Sequence, residues 1–386
     1  MNRSSIHLLD LPNERLLIIL KKLNNIDVLY SLSDINNGRL NILAQENTFT
    51  NTVKFVSIDD MCLIDRFCID ILPRIHQNVK CFIIDPVFME RILLATTYPN
   101  LNKPKIFHFQ QQIVLNYFTD ESLLQSIFEQ ITNLILVNHD QNGSIGRNKV
   151  LDGTYVQRDI LDYMPQLHSF TFYIGTYVDT IGLSYKVSNE DIRRTLTNIG
   201  QQHATSIVNY VSTDKAACWI FSLPFAFDYL EHLGNVFPNI VFSYVTYLLV
   251  EDDDPFKHEF FIRIARSFPL LKYLRIFNIE SAVLCDLMTF ESGNSGSHSI
   301  VEYSHLTSLD VRYGHRDYVE QFLNETKTYA PCLTELEVVD IHLKTVTKNF
   351  TRDETRHNCV KIKRLFTLGS LDHSRDFCLY FPSLQM

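Results

Sequence analysis

The densest set of chemically capable side chains is the run Glu251-Asp252-Asp253-Asp254-Pro255. Consecutive carboxylates attract a hard cation, but a calcium loop needs alternate ligands, a central glycine and a distal glutamate. None of these is present, so the run reads as a loop that follows a strand over residues 247–250. Histidines are scattered, and His357-Asn358-Cys359 has no companions at ligand spacing, so no metal site is expected. The eight cysteines (Cys62, Cys68, Cys81, Cys218, Cys285, Cys332, Cys359, Cys378) include no C-x-x-C pair and read as reduced core residues. There is no G-x-x-x-x-G-K-[ST], no G-x-G-x-x-G and no G-x-S-x-G. Gly143-Ser144-Ile145-Gly146 lacks a strand-turn-helix setting and reads as a turn, and residues 291–299 (ESGNSGSHS) read as a polar insertion. Trp219 with Phe221, Phe225, Phe227 and Tyr229 reads as core, not as a recognition surface. No catalytic residue, cofactor or metal is therefore expected, and the chain does not read as an enzyme.

The 386 residues are 46% hydrophobic and only 20% charged, which describes a folded globular chain and excludes a disordered one. A net charge of −9 speaks against nonspecific nucleic-acid binding, which needs clustered Lys and Arg. The densest basic group, Lys361, Lys363 and Arg364, reads as a solvated face. The start, MNRSSIHLLDLPNE, has acidic residues within its apolar part and no small-residue cleavage site, so a secretory signal is not expected. Apolar runs such as residues 240–250 are too short to span a bilayer. The expectation is a soluble intracellular protein of the cytoplasm or nucleus, with neither membrane nor nucleic acid as partner. The sequons at Asn142 and Asn349 carry little weight in that setting.

The first elements of the chain are the most distinctive. Pro12 suits a helix's first turn, and Glu14 meets the positive end of its dipole. Leu16, Ile19, Leu20 and Leu23 follow the i, i+3, i+4, i+7 rule, while Leu17 and Ile18 extend the apolar surface beyond that stripe. Asn24-Asn25 supplies a turn, and Asp27 is a candidate N-cap for a second helix containing Leu29, Leu32 and Ser33. Asn36-Asn37-Gly38 marks another turn before a third helix with Leu40, Leu43 and Ala44 on one face. Three helices within roughly 45 residues enclose little apolar volume, so such a module needs a neighbour or a partner.

Leu11, Pro12, Glu14, Leu16, Ile19, Leu20, Leu23, Asp27, Leu29 and Leu32 together resemble the F-box, a helical module that docks on a Skp-type adaptor in cullin-based ubiquitin ligases. The resemblance implies adaptor contacts at Leu11, Pro12, Leu16, Ile19, Leu20, Leu23 and Leu29. It also implies a receptor that presents an unknown target protein to another subunit's chemistry. One departure stands out: the Val-Cys-x-x-Trp segment of the family's third helix is replaced by Ile35-Asn36-Asn37-Gly38-Arg39-Leu40.

Beyond residue 55 one phrase recurs: a residue, then Pro, then any residue, then an apolar one. It occurs at Tyr98-Pro99-Asn100-Leu101, Met164-Pro165-Gln166-Leu167, Phe237-Pro238-Asn239-Ile240, Phe268-Pro269-Leu270-Leu271, Ala330-Pro331-Cys332-Leu333 and Phe381-Pro382-Ser383-Leu384. Several instances lead into text that alternates apolar and polar residues, as in FPLLKYLRIFNI, APCLTELEVVDI and MPQLHSFTFYI. Echoes at 131–137, 304–311 and 362–368 bring the period to roughly 30 residues, within the range of solenoid repeats. Helix-compatible stretches at 260–268 and 318–329 fall between strands, and the proline stands where a helix must stop. The predicted architecture is therefore an α/β solenoid: an F-box-like module over residues 1–55, then an irregular leucine-rich-repeat-like array of short parallel strands and helices over 56–386. Two alternatives stay open. One is a single α/β domain with proline turns, and the other is a repeat scaffold that never enters a ligase.

Overall fold

The structure, a computed structural model, describes residues 8–33, 37–56, 58, 60–107, 124–137, 150–181, 187–197, 199, 203–279, 299–371 and 374–385. Ile35, Asn36, Asn142, the 143–146 turn, Cys285 and nearly all of the 291–299 insertion lie outside the described residues.

Period-two alternation produces strands, and these collect into two open sheets. In the first, β1 (Thr52–Phe55), β2 (Cys81–Ile84), β3 (Lys105–Ile106), β4 (Asn133–Val137) and β5 (Ser169–Asp179) lie in chain order and pair in parallel. An antiparallel hairpin ends this sheet: β6 (Ala204–Ser212) is outermost and β7 (Lys215–Ser222) pairs with β5. The second sheet continues with β8 (Tyr229–Leu233), β9 (Tyr247–Glu251) and β10 (Tyr273–Asn278). The short β11 (Val301–Glu302) leaves it to pair with β13 (Thr328–Tyr329). Between and after them β12 (Ser308–Gly314), β14 (Glu335–Val338) and β15 (Arg364–Thr367) extend the second sheet, again parallel and in chain order. Parallel neighbours need crossover connections, and helices supply several of them, among them His258–Ser267 and Arg316–Leu323.

The strand-bearing phrases anticipated from sequence fall on β4, β5, β10, β12, β14 and β15, and those at 98–101 and 237–240 precede β3 and β9. The helix expected over 318–329 ends at Leu323, because the chain turns at Asn324 and enters β13. The 204–222 hairpin has no counterpart in the predicted array, which was to contain only parallel strands. β7 is mostly apolar and both strands have buried residues on both faces, a pattern that carries no direction.

A backbone device repeats along both sheets. The carbonyl just before one strand accepts two consecutive N–H groups from the chain just before the next. Thr246 O receives Lys272 N at 2.8 Å and Tyr273 N at 2.9 Å, and Thr307 O receives Thr334 N at 2.9 Å and Glu335 N at 3.0 Å. Asn51 O does the same for Lys80 and Cys81, and Thr132 O for His168 and Ser169. Threonine hydroxyls reinforce it: Thr246, Thr307 and Thr334 each donate to the preceding carbonyl, at 3.3, 3.1 and 3.3 Å. The step fixes strand order without relying on the length of each connection.

The two sheets meet where Trp219 of β7 lies flat against Gly175 of β5. A Cβ on Gly175 would fall 1.9 Å from the indole, so no other residue fits that position undisturbed. Tyr173 stacks on the same indole, centroids 4.8 Å apart, and Phe225 and Phe227 pack on Tyr173 from the segment leading into β8. This face of the hairpin belongs to the core of the second sheet, whereas Cys218, Ile220 and Val208 belong to the core behind the first. Gly175→Ala should therefore destabilise the fold by about 1–3 kcal/mol through overpacking. Gly38→Ala, with nothing within 4 Å of the added carbon, is the control and should change stability by less than about 1 kcal/mol. Urea midpoints measure both, and equal midpoints for the two variants would show that the indole is not confined by Gly175.

Candidate functional site

The amino-terminal helices are α1 (Asn13–Leu20), α2 (Asn25–Leu32) and α3 (Gly38–Ala44). Pro12 occupies the N-cap of α1 (φ −57°, ψ 154°), one position before the first turn where the sequence places it. Asn24 is the N-cap of α2, so Asp27 stands in the first turn and not at the cap. The start is earlier because Asn25 is anchored: its Nδ2 donates to Thr52 O at 2.9 Å and Thr48 O at 3.2 Å, tying α2 to the beginning of β1. Asn37 caps α3 with its side chain, accepting from Arg39 N at 3.1 Å and Leu40 N at 3.2 Å.

The seven residues singled out by the resemblance divide into three groups. Leu16, Leu20 and Leu29 are buried, Leu11 is half-buried, and Pro12, Ile19 and Leu23 are exposed. Leu16 closes a small cluster with Leu40 and Leu43, while Leu20, Val28 and Leu29 join the large core behind the first sheet. Full burial of side chains this size contributes about 1.5–3 kcal/mol each, which accounts for their position without any partner. The exposed members are different: Ile19 is 42% and Leu23 52% accessible, next to Ile18 at 56% and Leu9 at 47%. On a helix of 3.6 residues per turn Pro12 and Ile19 fall along one line, which Leu23 extends just past the end of α1. Ile18 points about 100° further round. On α3, Ile42 is 70% accessible. The ridge Pro12, Ile19 and Leu23, flanked by Leu9 and Ile18, offers apolar surface that the described residues leave uncovered.

Sequence reasoning missed the residue that holds this ridge in place. Arg39 reaches back from α3 and donates to Asn13 Oδ1 at 2.6 Å, to Leu9 O at 2.8 Å and to Leu11 O. The planar guanidinium satisfies two carbonyls just ahead of α1 and so sets the path of the Leu11-Pro12 step. The only signal in the sequence was a basic residue within an otherwise neutral third helix.

The other candidates take ordinary structural places. Asp252 accepts from Asn235 N at 2.6 Å and Asp254 N at 3.0 Å, so the acidic run is a turn organised by its own backbone. Asn278 donates to Asp252 O at 3.0 Å and Asp254 O at 2.8 Å, and Glu251 pairs with His232. Among the described residues no group of three or more His, Cys, Asp or Glu side chains is placed to hold a metal ion. Asn358 bridges Phe322 O and Thr328 O, and burial pushes the neighbouring Cys359 thiol up. Trp219 is buried, in keeping with its reading as core. No helix among the described residues is long and apolar enough to cross a membrane.

One face of the second sheet carries a network of charged side chains. Asp310, fully buried, lies between Arg275 Nε at 3.2 Å and Arg312 Nη2 at 2.9 Å, and Arg312 also meets Glu337 at 2.6 Å. The Arg275 contact is an ion pair without hydrogen-bond geometry. Hydrogen bonding to Asp310 holds Arg312 still more firmly protonated. Tyr247 stacks on Tyr273 at 5.0 Å and Phe277 on Tyr313 at 5.3 Å, giving aromatic pairs beside the charges. Comparison of the chain with protein-family models and with curated proteins finds no match to either.

Two outcomes follow from this geometry. Arg39→Ala, and to a lesser degree Arg39→Lys, should speed amide exchange at Leu16 and Lys21 by roughly tenfold, as loss of the fork lets α1 open locally. Unchanged exchange in the alanine variant would remove the anchoring role. Glu231 of β8 supplies the second. Burial raises its carboxyl pKa more than His232 and Arg275 lower it. The native state then keeps this proton longer than the unfolded chain, so the group's contribution to stability falls as pH rises from the usual carboxylate range through the raised value. Glu231→Gln should stabilise the protein relative to wild type more at about pH 7.5 than at about pH 4. An equal difference in urea midpoint at both pH values contradicts the assignment.

Proposed function

We propose that the protein is a substrate receptor for a cullin-type ubiquitin ligase, with an F-box-like module that docks on a Skp-type adaptor. The observation that carries this reading is the unused ridge on α1. Pro12, Ile19 and Leu23 stay accessible although Leu16 and Leu20, on the same helix, are buried in the chain's own interior. Apolar area of this kind is lost to water unless another polypeptide covers it. The region after the module is an irregular leucine-rich-repeat-like solenoid in this reading. Parallel strands in chain order, the two-donor step that recurs before most of them and the proline turns support it. The target protein would be bound by that array, and the adaptor would bring a cullin and a ubiquitin-loaded enzyme within reach. Catalysis then rests on effective concentration, not on any residue of this chain.

A second reading, a repeat scaffold outside any ligase, is favoured by one observation: α3 reads GRLNILA and carries no aromatic residue where the family has one. A titration with purified Skp-type adaptor separates the two. The wild-type chain should bind, and Ile19→Asp with Leu23→Asp should weaken binding at least about 30-fold while thermal unfolding is retained. Leu16→Asp, by contrast, places a charge in a closed cluster and should unfold the module. Wild-type affinity weaker than about 1 mM, or binding unaffected by the double substitution, sinks the ligase reading.

A further inference from the structure

The open faces of the two sheets differ in how their charge is used. On the second, the strand arginines are already matched: Arg275 and Arg312 share Asp310, and Arg364 pairs with Glu335. On the first, register places Lys54, Ile83, Lys105, Ile135 and Thr171 in one row across β1 to β5. Lys103 lies beside this row, close enough to Cys81 to act on its thiol together with Lys105. The row holds no carboxylate. Lys54 and Lys103 are exposed and make no ion pair among the described residues. Lys105 is half-buried, its ammonium 4.6 Å from the Phe107 ring centre and 6.0 Å from that of Phe227, with Asp228 as the opposite charge acting on it.

We infer that this face binds a carboxylate-rich segment of a partner protein. The ammonium groups of Lys54 and Lys103, without an ion pair among the described residues, flank a strip of half-buried Ile and Thr. They complement an acidic chain, since each carboxylate gains an ion pair and the intervening residues gain apolar contact. Lys54 and Lys105 stand two strands apart, about 9–10 Å, which an extended segment crossing the strands covers in roughly three residues. A nucleic acid fits less well. The row offers no arginine fork for phosphates, no exposed aromatic ring for base stacking, and the whole chain carries a charge of −9. The inference rests on the receptor reading only in taking a protein segment as the occupant, and its test contains no adaptor, so the two can fail separately.

The test uses the full chain and a fluorescein-labelled oligoglutamate peptide, followed by anisotropy at about 50 mM and about 300 mM salt. Wild type should bind at the lower salt and weaken at the higher. Lys54→Glu with Lys103→Glu should weaken binding at least about tenfold and gain binding to an oligolysine peptide of equal length. The control pair, Lys361→Glu with Lys363→Glu, makes the same charge change elsewhere and should leave oligoglutamate binding unchanged. The lysines replaced are all exposed, and an unaltered unfolding temperature verifies that each variant is folded. No wild-type binding, or equal loss in both pairs, overturns the inference. So does displacement of oligoglutamate by single-stranded DNA at lower concentration with the same lysine dependence.

Discussion

Trp219 resting on Gly175 is the contact on which the arrangement of the two sheets depends. β5 and β7 are buried on both faces, and each face looks into a different core. A hairpin with only one apolar face would end the first sheet and leave the second without a wall to pack on. The missing side chain at Gly175 makes room for the indole, and the indole with Tyr173 provides the flat apolar surface that Phe225 and Phe227 cover. The antiparallel insertion thus works as a hinge-free joint between two parallel runs. It stabilises both, because loss of packing on either side exposes the same aromatic group to water.

The amino-terminal helices follow the opposite logic. Their buried residues are drawn into two cores at once, a small one of Leu16, Leu40 and Leu43, and the large one that Leu20, Val28 and Leu29 share with the first sheet. β1 lies within the first 55 residues, yet it pairs with β2, so the helices are seated directly on the array. Arg74 donates to Ser33 O at 3.2 Å, and the Arg66 guanidinium sits 4.2 Å over the Tyr30 ring, which fixes the seating from the other side. A rigid seat bears on the docking proposed for the α1 ridge: surface held in one orientation loses less entropy on binding than surface on a loose tether.

Charge is distributed with similar economy. The second sheet encloses its charges in a network in which Asp310 is shared by two arginines, and such a network orders the face without leaving much net attraction for others. The first sheet leaves its lysines without carboxylate neighbours in the row. The contrast arises from which residue types alternate with the core positions of each strand, and the shared register turns it into two continuous surfaces.

Local pattern alone determined a good deal of this protein. Alternation in FPLLKYLRIFNI and APCLTELEVVDI was enough to place β10 and β14, because a strand with one buried face needs only a period of two. In MPQLHSFTFYI it placed the start of β5, where burial still alternates. The spacing of Leu16 and Leu20, and of Leu40, Leu43 and Ala44, likewise gave buried helix faces. What it did not determine were quantities set by distant residues. Ile19 and Leu16 are equally apolar and both fit the helical stripe, yet only the packing of α3 makes one core and the other surface. Arg39 carries no local sign that it binds carbonyls some 30 positions earlier. Asp27 lost the cap position because Asn25 is held by Thr48 and Thr52. The hairpin at 204–222, buried on both faces, gave no periodic signal, and its direction was decided by Gly175 and Trp219 coming into register. Periodicity reports which side of an element is greasy. Only tertiary contact decides which greasy side is covered, because coverage is a property of two segments at once.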